Sequence, residues 1–230
     1  MRTILIAEAD NRSLTAHGDE LLLDGIEVHA ARTARHAQLR LGAVNPDALL
    51  LGLLETPAAG VTLLRALRAG DVPDADPCLL VVALGGDSDH GATRLYQAGA
   101  DLVLPSSASP LLIKGALDSL SARAEGDNRH RVLRAGSLKI DSDARVATVN
   151  GAPVVLTRLE FDLLQTLARD PHRAFSKPEL IAEVWGYDPR ESVIGRTVDA
   201  HAYRLRHKLR EAGSGELVQS VRGVGYRLTR

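Results

Sequence analysis

The sequence predicts two consecutive domains: an α/β domain built on a doubly wound, five-stranded parallel sheet, and an α+β domain of helices followed by a hairpin. Three observations lead to this prediction. Short apolar runs alternate with helical patterns through the first half of the chain. The formal charge changes sign between the halves, and six of the seven aromatic residues lie in the second half. A length of 230 residues accommodates two modest domains.

The charge distribution separates the two halves. Residues 1–125 contain 10 Lys or Arg against 16 Asp or Glu, a net −6, whereas residues 126–230 contain 18 against 13, a net +5. The formal total of −1 therefore conceals an acidic domain and a basic domain with different partners. A stretch without large apolar side chains lies between them and is typical of a linker. We predict domains at 1–122 and 132–230, joined by a linker at 123–131.

The composition disfavours several classes of protein. No apolar run approaches the roughly 18 residues of a membrane-spanning helix, and the first residues lack a secretory signal pattern. Cys78 is the single cysteine, so neither a disulfide framework nor a cysteine-based zinc site is expected. We expect a cytoplasmic protein without membrane attachment, resident metal or cofactor.

The first domain is predicted element by element from its hydrophobic periodicity. Five short apolar runs are predicted as strands: Ile4–Ala7, Ile26–Ala30, Ala48–Leu51, Leu79–Leu84 and Leu102–Leu104. The segments that follow them space their apolar residues as helices do: Leu14–Leu23, Ala34–Ala43, Val61–Leu67, Gly91–Ala98 and Leu111–Leu120. Ligands of doubly wound sheets bind at the carboxyl ends of the strands, so the loops after the strands are the candidate sites.

Three segments near those strand ends match a family pattern. Glu8-Ala9-Asp10 follows the first strand, Pro46-Asp-Ala-Leu-Leu-Leu-Gly52 covers the third, and Gly99-Ala-Asp101 precedes the fifth. Over nearly its whole length, this half resembles the flavodoxin-like receiver domain of two-component response regulators. The resemblance implies an aspartate that accepts phosphate at the end of the third strand and an acidic pair that holds Mg²⁺. It also implies a hydroxyl after the fourth strand and a lysine after the fifth.

The chain departs from this pattern at the positions responsible for the chemistry. Gly52 stands at the acceptor position and offers no side chain to phosphorylate, and Ala9 replaces one member of the acidic pair. Leu84 falls at the hydroxyl position, with Ala83 as the alternative register, and Ser106 replaces the lysine. We therefore predict an atypical receiver domain without a phosphorylation site, which aspartyl phosphorylation does not switch.

The surroundings of the missing acceptor leave two alternatives open. Glu8, Asp10 and Glu55 either hold a weak cation or are solvated loop carboxylates, and the second interpretation is favoured. The former acceptor site is either closed by packing or open to a small apolar molecule, which would make the protein a ligand-gated regulator. The residues expected to line the site are apolar or glycine: Gly52, Leu53, Leu84 and Val103.

The resemblance also implies a homodimer formed through the fourth helix, the fifth strand and the fifth helix. The charged pairs of the family are largely missing there, although Asp101 is kept. Leucine stands at two of the positions, Leu102 and Leu112, which suggests a more hydrophobic association of the two copies. Alternatively, these leucines belong to the core of the domain. The positions concerned are Ala92, Gln97, Leu102, Leu112, Ala116 and Asp118.

The second domain is predicted to begin with strands and to continue with two capped helices. Apolar and polar residues alternate in three segments: Leu138–Ile140, Val146–Val149 and Pro153–Leu156. Asn150-Gly151 between the last two is a strong tight-turn signal. Thr157-Arg-Leu-Glu160 and Ser176-Lys-Pro-Glu179 have the spacing of capping boxes, which predicts that a helix begins at each.

A third helix is predicted over about Arg196–Glu211. Its apolar residues recur at helical steps and form one buried stripe: Val198, Ala202, Leu205 and Leu209. Residues 196–210 contain five Lys or Arg against one Asp, so the opposite face is electropositive. Two strands are then predicted around the turn Arg222-Gly-Val-Gly225. Three helices followed by a basic hairpin form a winged helix-turn-helix domain, in which one helix enters the major groove of double-stranded DNA.

Four segments of the second half match a second family pattern: Leu156-Thr-Arg-Leu-Glu-Phe-Asp-Leu-Leu164, Trp185-Gly186, Arg196-Thr-Val-Asp-Ala-His-Ala-Tyr-Arg-Leu-Arg206 and Val221-Arg-Gly-Val-Gly-Tyr226. This half is similar to the DNA-binding domain of OmpR/PhoB-type response regulators. The resemblance implies three sets of contacts with DNA. The set facing the bases is Thr197, Ala200, His201 and Arg204, with Tyr203 beside them. The set on phosphates is Arg196, Arg206 and Tyr226, and Arg222 reaches the minor groove.

Trp185 has two interpretations. It is either a core aromatic at a helix end or a contact to DNA backbone or RNA polymerase beside the loop Gly186–Ile194. Taken together, the sequence predicts a sequence-specific DNA-binding transcriptional regulator of the OmpR/PhoB type, not an enzyme, that acts independently of aspartyl phosphorylation. Its expected partners are double-stranded DNA with direct repeats, a second copy of itself and RNA polymerase.

Overall fold

The computed structural model describes residues 3–122, 132–142, 144–186 and 197–229. The chain divides into two compact units, Met1–Ser121 and Ala122–Arg230, and each is described by itself. Among the described residues, no helix combines the length and the apolar composition that crossing a bilayer requires.

The N-terminal unit is a five-stranded parallel sheet with the strand order β2-β1-β3-β4-β5 and a helix after each strand. Its strands are β1 Thr3–Ala7, β2 Glu27–Ala31, β3 Ala48–Leu51, β4 Leu80–Leu84 and β5 Leu102–Leu104. Its helices are α1 Asn11–Leu22, α2 Ala34–Val44, α3 Pro57–Ala69, α4 Asp89–Ala98 and α5 Pro110–Ala122. The predicted fold class is confirmed.

Local sequence explains where the helices of this unit begin and end. The first four helices each follow a residue whose side chain accepts a hydrogen bond from a backbone N–H of the first turn: Asp10, Thr33, Thr56 and Ser88. Gly70 and Gly99 end α3 and α4 in the left-handed conformation, which glycine adopts without steric cost. The strands β3 and β4 are buried along their whole length, as strands covered on both faces must be.

A buried ion pair occupies one end of β5 and corrects part of the predicted dimer surface. The Arg68 guanidinium donates to Asp101 Oδ2 at 2.8 Å and to the carbonyl oxygens of Gly99, Pro77 and Leu79. Asp101 is fully buried and also accepts from the backbone N–H of Val81. Asp101 is therefore paired inside the unit and is not available for a charged pair across a dimer interface.

Two further positions of the predicted dimer surface lie in the core. Leu102 and Ala116 are buried, because β5 is covered and this side of α5 faces the sheet. The alternative that the leucines belong to the core is thus correct for Leu102. Leu112 and its neighbour Leu111 are exposed on the other side of α5.

The C-terminal unit begins with an antiparallel sheet of four strands in sequence order: β6 Val132–Ala135, β7 Leu138–Asp141, β8 Val146–Val149 and β9 Ala152–Val154. The turn between β8 and β9 has positive φ at Asn150 and Gly151, 53° and 84°, as the tight turn predicted there requires. Further elements follow: α6 Arg158–Arg169, β10 Phe175–Ser176, α7 Lys177–Leu180, α8 Thr197–Glu211, β11 Val218–Val221 and β12 Gly225–Leu228. The helix α7 continues into a π-helical turn, Ile181–Trp185.

The three helices and the hairpin are packed as a winged helix. Both predicted capping boxes are present, at Thr157 with Glu160 and at Ser176 with Glu179. The strands β11 and β12 form the hairpin that we call the wing, and the short β10, which the sequence did not predict, pairs with β12. The predicted stripe of α8 is buried against the rest of the unit.

Candidate nucleic-acid interface

One face of α8 is exposed and presents a mixture of aromatic, small and basic side chains. Tyr203 is 63% exposed, Ala200 and Arg206 are half-buried, and His207 and Arg210 are exposed further along the helix. Arg222 is exposed at the tip of the wing. Arg196 lies outside the described residues, as does the whole segment 187–195 that precedes it.

The structure corrects the prediction for Thr197 and His201. Both are completely buried, and His201 Nδ1 lies 2.9 Å from the carbonyl oxygen of Thr197. A side chain without exposed surface does not reach a base edge, so these two residues support the helix from inside. The sequence pattern failed here because polar residues are buried when they find a hydrogen-bonding partner.

Trp185 is likewise a core residue. It is fully buried and packs edge-to-face on His201, with ring centroids 5.1 Å apart and an interplanar angle of 78°. The predicted contact of Trp185 with DNA backbone or polymerase is therefore wrong, because no part of the indole reaches the surface. The core interpretation of this residue is correct.

Arg204 is held at the interface between α6 and α8. Its Nε donates to Glu160 Oε1 at 2.9 Å, and Lys208 Nζ donates to Glu160 Oε2 at 2.7 Å. Glu160 is fully buried and accepts a third bond from the backbone N–H of Thr157. Burial alone would raise the pKa of Glu160, but the Lys208 and Arg204 charges and these hydrogen bonds outweigh it and lower the pKa to about 2.

This arrangement changes the role expected of Arg204. A guanidinium engaged with a buried carboxylate is not available to form a bidentate pair with guanine unless the ion pair breaks. Arg204 is therefore a residue that fixes the position of α8. Sequence reasoning identified Glu160 as a capping residue, but its partners 44 and 48 positions away gave no local signal.

A second carboxylate joins α8 to the wing. The Tyr226 hydroxyl donates to Asp199 Oδ1 at 2.7 Å, and Lys177 Nζ donates to Asp199 Oδ2 at 2.8 Å. Burial and the neighbouring Asp199 raise the pKa of Tyr226 to about 12. The guanidinium carbon of Arg206 lies 5.6 Å from the centre of the Tyr226 ring. Tyr226 is nearly buried, so it orients the interface instead of presenting its hydroxyl to a phosphate as predicted.

The wing is tightly packed at its base and open at its tip. A Cβ at Gly225 would lie 2.1 Å from the carbonyl oxygen of Phe175, so only glycine permits the pairing of β12 with β10. At the tip, Gly223 has φ of 75°, and a Cβ there would meet nothing within 4 Å. The exposed Arg222 precedes this turn, which gives it access to a partner outside the unit.

The predicted acceptor position of the N-terminal unit is filled by a carboxylate from the loop after β1. A Cβ at Gly52 would lie 2.0 Å from Glu8 Oε2 and 2.9 Å from Glu8 Cδ. Glu8 is 4% exposed, and its carboxylate accepts from the backbone N–H groups of Asp10, at 2.9 Å, and Leu53, at 3.1 Å. The space that a side chain at position 52 would need is occupied.

The other carboxylates near this site serve as backbone caps. Asp10 Oδ2 accepts from the N–H of Ser13, and both oxygens of Glu55 lie 3.1 Å from the N–H of Ala34. Among the residues that the structure describes, no three His, Cys, Asp or Glu side chains are grouped so that they could hold a metal ion. Asp10 and Glu55 are exposed, as the favoured interpretation of solvated loop carboxylates requires, whereas Glu8 is buried and departs from it.

A cavity of about 100 Å³ lies beside Gly52, between β3, α3 and α4. Its lining is mainly apolar or glycine, and its members include Leu51, Leu53, Leu84, Gly85, Gly91 and Leu95. Arg94 also lines it, is exposed, and makes no hydrogen bond or ion pair with the described part of the chain. Val103, which was predicted to line the site, does not contribute.

Comparisons with known proteins agree with this architecture. The family model described as "Transcriptional regulatory protein, C terminal" matches residues 151–228. The chain is 31% identical over 207 residues to the phosphate regulon transcriptional regulatory protein PhoB of Rhizobium meliloti, covering 89% of this chain and 88% of that protein. It is 34% identical to the transcriptional regulatory protein PrrA of Mycobacterium leprae, covering 97% and 94%. The solved structure of a RitR mutant shares the fold, with a TM-score of 0.71 at 19% identity over all of both chains.

Proposed function

Since the chain belongs to the OmpR/PhoB-type family of DNA-binding response regulators, we propose that it is a sequence-specific transcriptional regulator that works without aspartyl phosphorylation. It binds double-stranded DNA at direct repeats as a homodimer, it catalyses no reaction, and it acts in the cytoplasm where the DNA lies. The proposed organisation is a regulatory domain at 1–122, a linker at 123–131 and a DNA-binding domain at 132–230.

The exposed face of α8 and the wing support the DNA-binding part of the proposal. The face presents Ala200, Tyr203 and Arg206, and the wing presents Arg222 at a tip that is free of packing constraints. Residues 126–230 have a net charge of +5, which favours a polyanionic partner. We assign Arg206 and Arg222 to phosphate or minor-groove contacts. Ala200 and Tyr203 are assigned to the floor of the major groove.

A binding experiment with the full chain tests this assignment. Sites are first selected from a random duplex library, and affinity for a selected site is then measured as a function of salt. Arg222→Ala should lower the affinity and reduce the salt slope by about 0.9, because one phosphate or groove contact is lost. Arg134→Ala, an exposed arginine on β6, is the matched control and should leave both unchanged. Equal effects of the two substitutions would contradict the proposed interface.

The contact between Glu8 and Gly52 is the observation that supports phosphorylation-independent action. The acceptor position has no side chain, and the volume in front of it is filled by a carboxylate that is bound to two backbone N–H groups. Incubation with acetyl phosphate followed by intact-mass measurement should give no acid-labile phosphoryl adduct. An adduct of the mass of one phosphoryl group that disappears on acid treatment would refute this part of the proposal.

The exposed leucines of α5 are the basis for the proposed homodimer. Leu111 and Leu112 are 67% and 45% exposed on adjacent positions, which places an apolar patch on the surface. Sedimentation of the Leu111→Glu/Leu112→Glu double variant should show a monomer. Leu39→Glu, at an equally exposed leucine of α2, should remain dimeric. A dimer that survives in the double variant would exclude this surface.

The cavity beside Gly52 favours a second candidate function, a regulator gated by a small molecule. Its apolar lining and the charge of Arg94, which pairs with none of the described residues, suit a short aliphatic carboxylate. Such compounds should raise the midpoint of thermal unfolding of the chain and leave that of Arg94→Ala unchanged. If no short straight or branched carboxylate raises the midpoint, the ligand-gated candidate is excluded and constitutive dimerisation remains.

A further inference from the structure

Within the described part of α8, the outward face near the N-terminus offers few hydrogen-bonding side chains that are not already engaged inside the unit. Thr197 and His201 are buried, and Arg204 is engaged with Glu160. Along the first two turns Tyr203 is exposed and Ala200 is half-buried, and the partly exposed Asp199 is engaged by Lys177 and Tyr226. In helix-turn-helix proteins it is this N-terminal part of the helix that approaches the base edges.

Tyr203 is positioned to act as a reading element. It is 63% exposed, and its ring makes no hydrogen bond or aromatic contact with other described residues. Ala200 lies one turn earlier, at the i−3 position, so its methyl group and the Tyr203 ring are neighbours on the same face. Arg206, three positions after Tyr203, has its guanidinium carbon 5.6 Å from the centre of the Tyr226 ring.

The chemistry of this pair selects a particular base feature. An alanine methyl and an aromatic ring offer apolar surface and no bidentate donor pair, so they do not recognise guanine or adenine as arginine or asparagine does. The apolar feature of the major groove is the C5-methyl group of thymine. We propose that Tyr203, together with Ala200, reads thymine methyl groups in each half-site and is the main specificity-determining residue of this protein.

This inference rests on the proposed DNA-binding function, and its test separates the two. Sites are selected with the full chain from a random duplex library at fixed salt. Each thymine of a selected site is then replaced by deoxyuridine, which removes only the C5-methyl group. The protein should lose affinity about four-fold at one or two positions per half-site, the loss expected when one methyl group is no longer buried.

Substitutions at position 203 test whether Tyr203 is the residue that recognises the thymine methyl group. Tyr203→Ala should bind the thymine site more weakly and should no longer distinguish thymine from deoxyuridine. Tyr203→Phe retains the ring and should keep the discrimination. His207→Ala, an exposed neighbour one turn later, is the control and should also keep it. Because Tyr203 is mostly exposed, these variants should retain the far-ultraviolet circular dichroism spectrum of the parent.

The outcomes are distinct. Selected sites without thymine in the half-sites, or deoxyuridine substitution without effect, would overturn the inference while leaving sequence-specific DNA binding intact. Discrimination that persists in Tyr203→Ala would also overturn it and would transfer the role to another residue. A library that yields no preferred sequence at all would instead refute the proposed function itself.

Discussion

The contact between Glu8 and Gly52 makes a quantitative prediction about stability. In Gly52→Ala the new Cβ would lie 2.0 Å from Glu8 Oε2, so the carboxylate has to move. It then gives up its bonds to the N–H groups of Asp10 and Leu53. Hydrogen bonds to a charged group contribute about 1.5 to 3 kcal/mol each, so the substitution should lower the free energy of unfolding of the N-terminal unit by about 3 kcal/mol.

A double-mutant cycle isolates this effect. Glu8→Ala removes the same two bonds and should cost a similar free energy. In the Glu8→Ala background, however, Gly52→Ala meets no carboxylate and should cost less than about 1 kcal/mol, so the coupling free energy should be about 2 to 3 kcal/mol. Gly115→Ala is the control, since a Cβ at this exposed position of α5 meets nothing within 4 Å. It should be neutral or slightly stabilising.

Urea unfolding of the full chain is a suitable assay, because the two units can be followed separately. Trp185 is the single tryptophan and belongs to the C-terminal unit, so its fluorescence reports that unit. The loss of far-ultraviolet circular dichroism that is not accompanied by a fluorescence change reports the N-terminal unit. Additive costs of Glu8→Ala and Gly52→Ala, or a Gly52→Ala variant as stable as Gly115→Ala, would refute the reasoning.

Three further predictions concern the C-terminal unit. Glu160 has a folded-state pKa of about 2 against an ordinary 4.5, so the stability that its ionised form contributes is present above pH 4.5 and is lost as the pH falls toward 2. Glu160→Gln should lower the free energy of unfolding by about 3 kcal/mol at neutral pH. In this variant the free energy of unfolding should depend less on pH between 4.5 and 2. His201→Ala should lower stability by about 2 to 3 kcal/mol by opening a core cavity, whereas the exposed His207→Ala should change it by less than about 0.5 kcal/mol; equal costs would contradict the buried placement. Tyr226→Phe removes the bond to Asp199 and should cost about 1 kcal/mol while weakening DNA binding several-fold, and unchanged affinity would show that this bond does not position α8.

Much of the fold was predictable because its signals are local. The apolar runs of β1 to β5 and the capping boxes at Thr157 and Ser176 depend on residues within one element, and the structure confirms them. The two-residue β10 was not predicted, because its pairing with β12 gives no periodicity in so short a segment.

The candidate site was harder to predict, because it depends on contacts between distant residues. The spacing of the apolar stripe on α8 is correct, yet the buried face is wider and includes Thr197 and His201. The resemblance to the family implied that these two residues face the bases, and the structure buries both of them. Arg204 and Tyr226 have the residue types of DNA contacts, and only the positions of Glu160 and Asp199 show that they are engaged inside the unit.

The pairing of Glu8 with Gly52 also constrains how this protein can evolve. An aspartate that arises first at position 52 collides with Glu8, and loss of Glu8 first leaves two buried backbone donors without an acceptor. Either order passes through an intermediate weakened by about 3 kcal/mol, a large part of the 5 to 15 kcal/mol that a domain typically has. An aspartate at position 52 is thus accommodated only when the Glu8 side chain turns away from its present place, so a single substitution there costs stability before it restores any chemistry, and Ala9, Leu84 and Ser106 would still lack the other groups that the reaction needs.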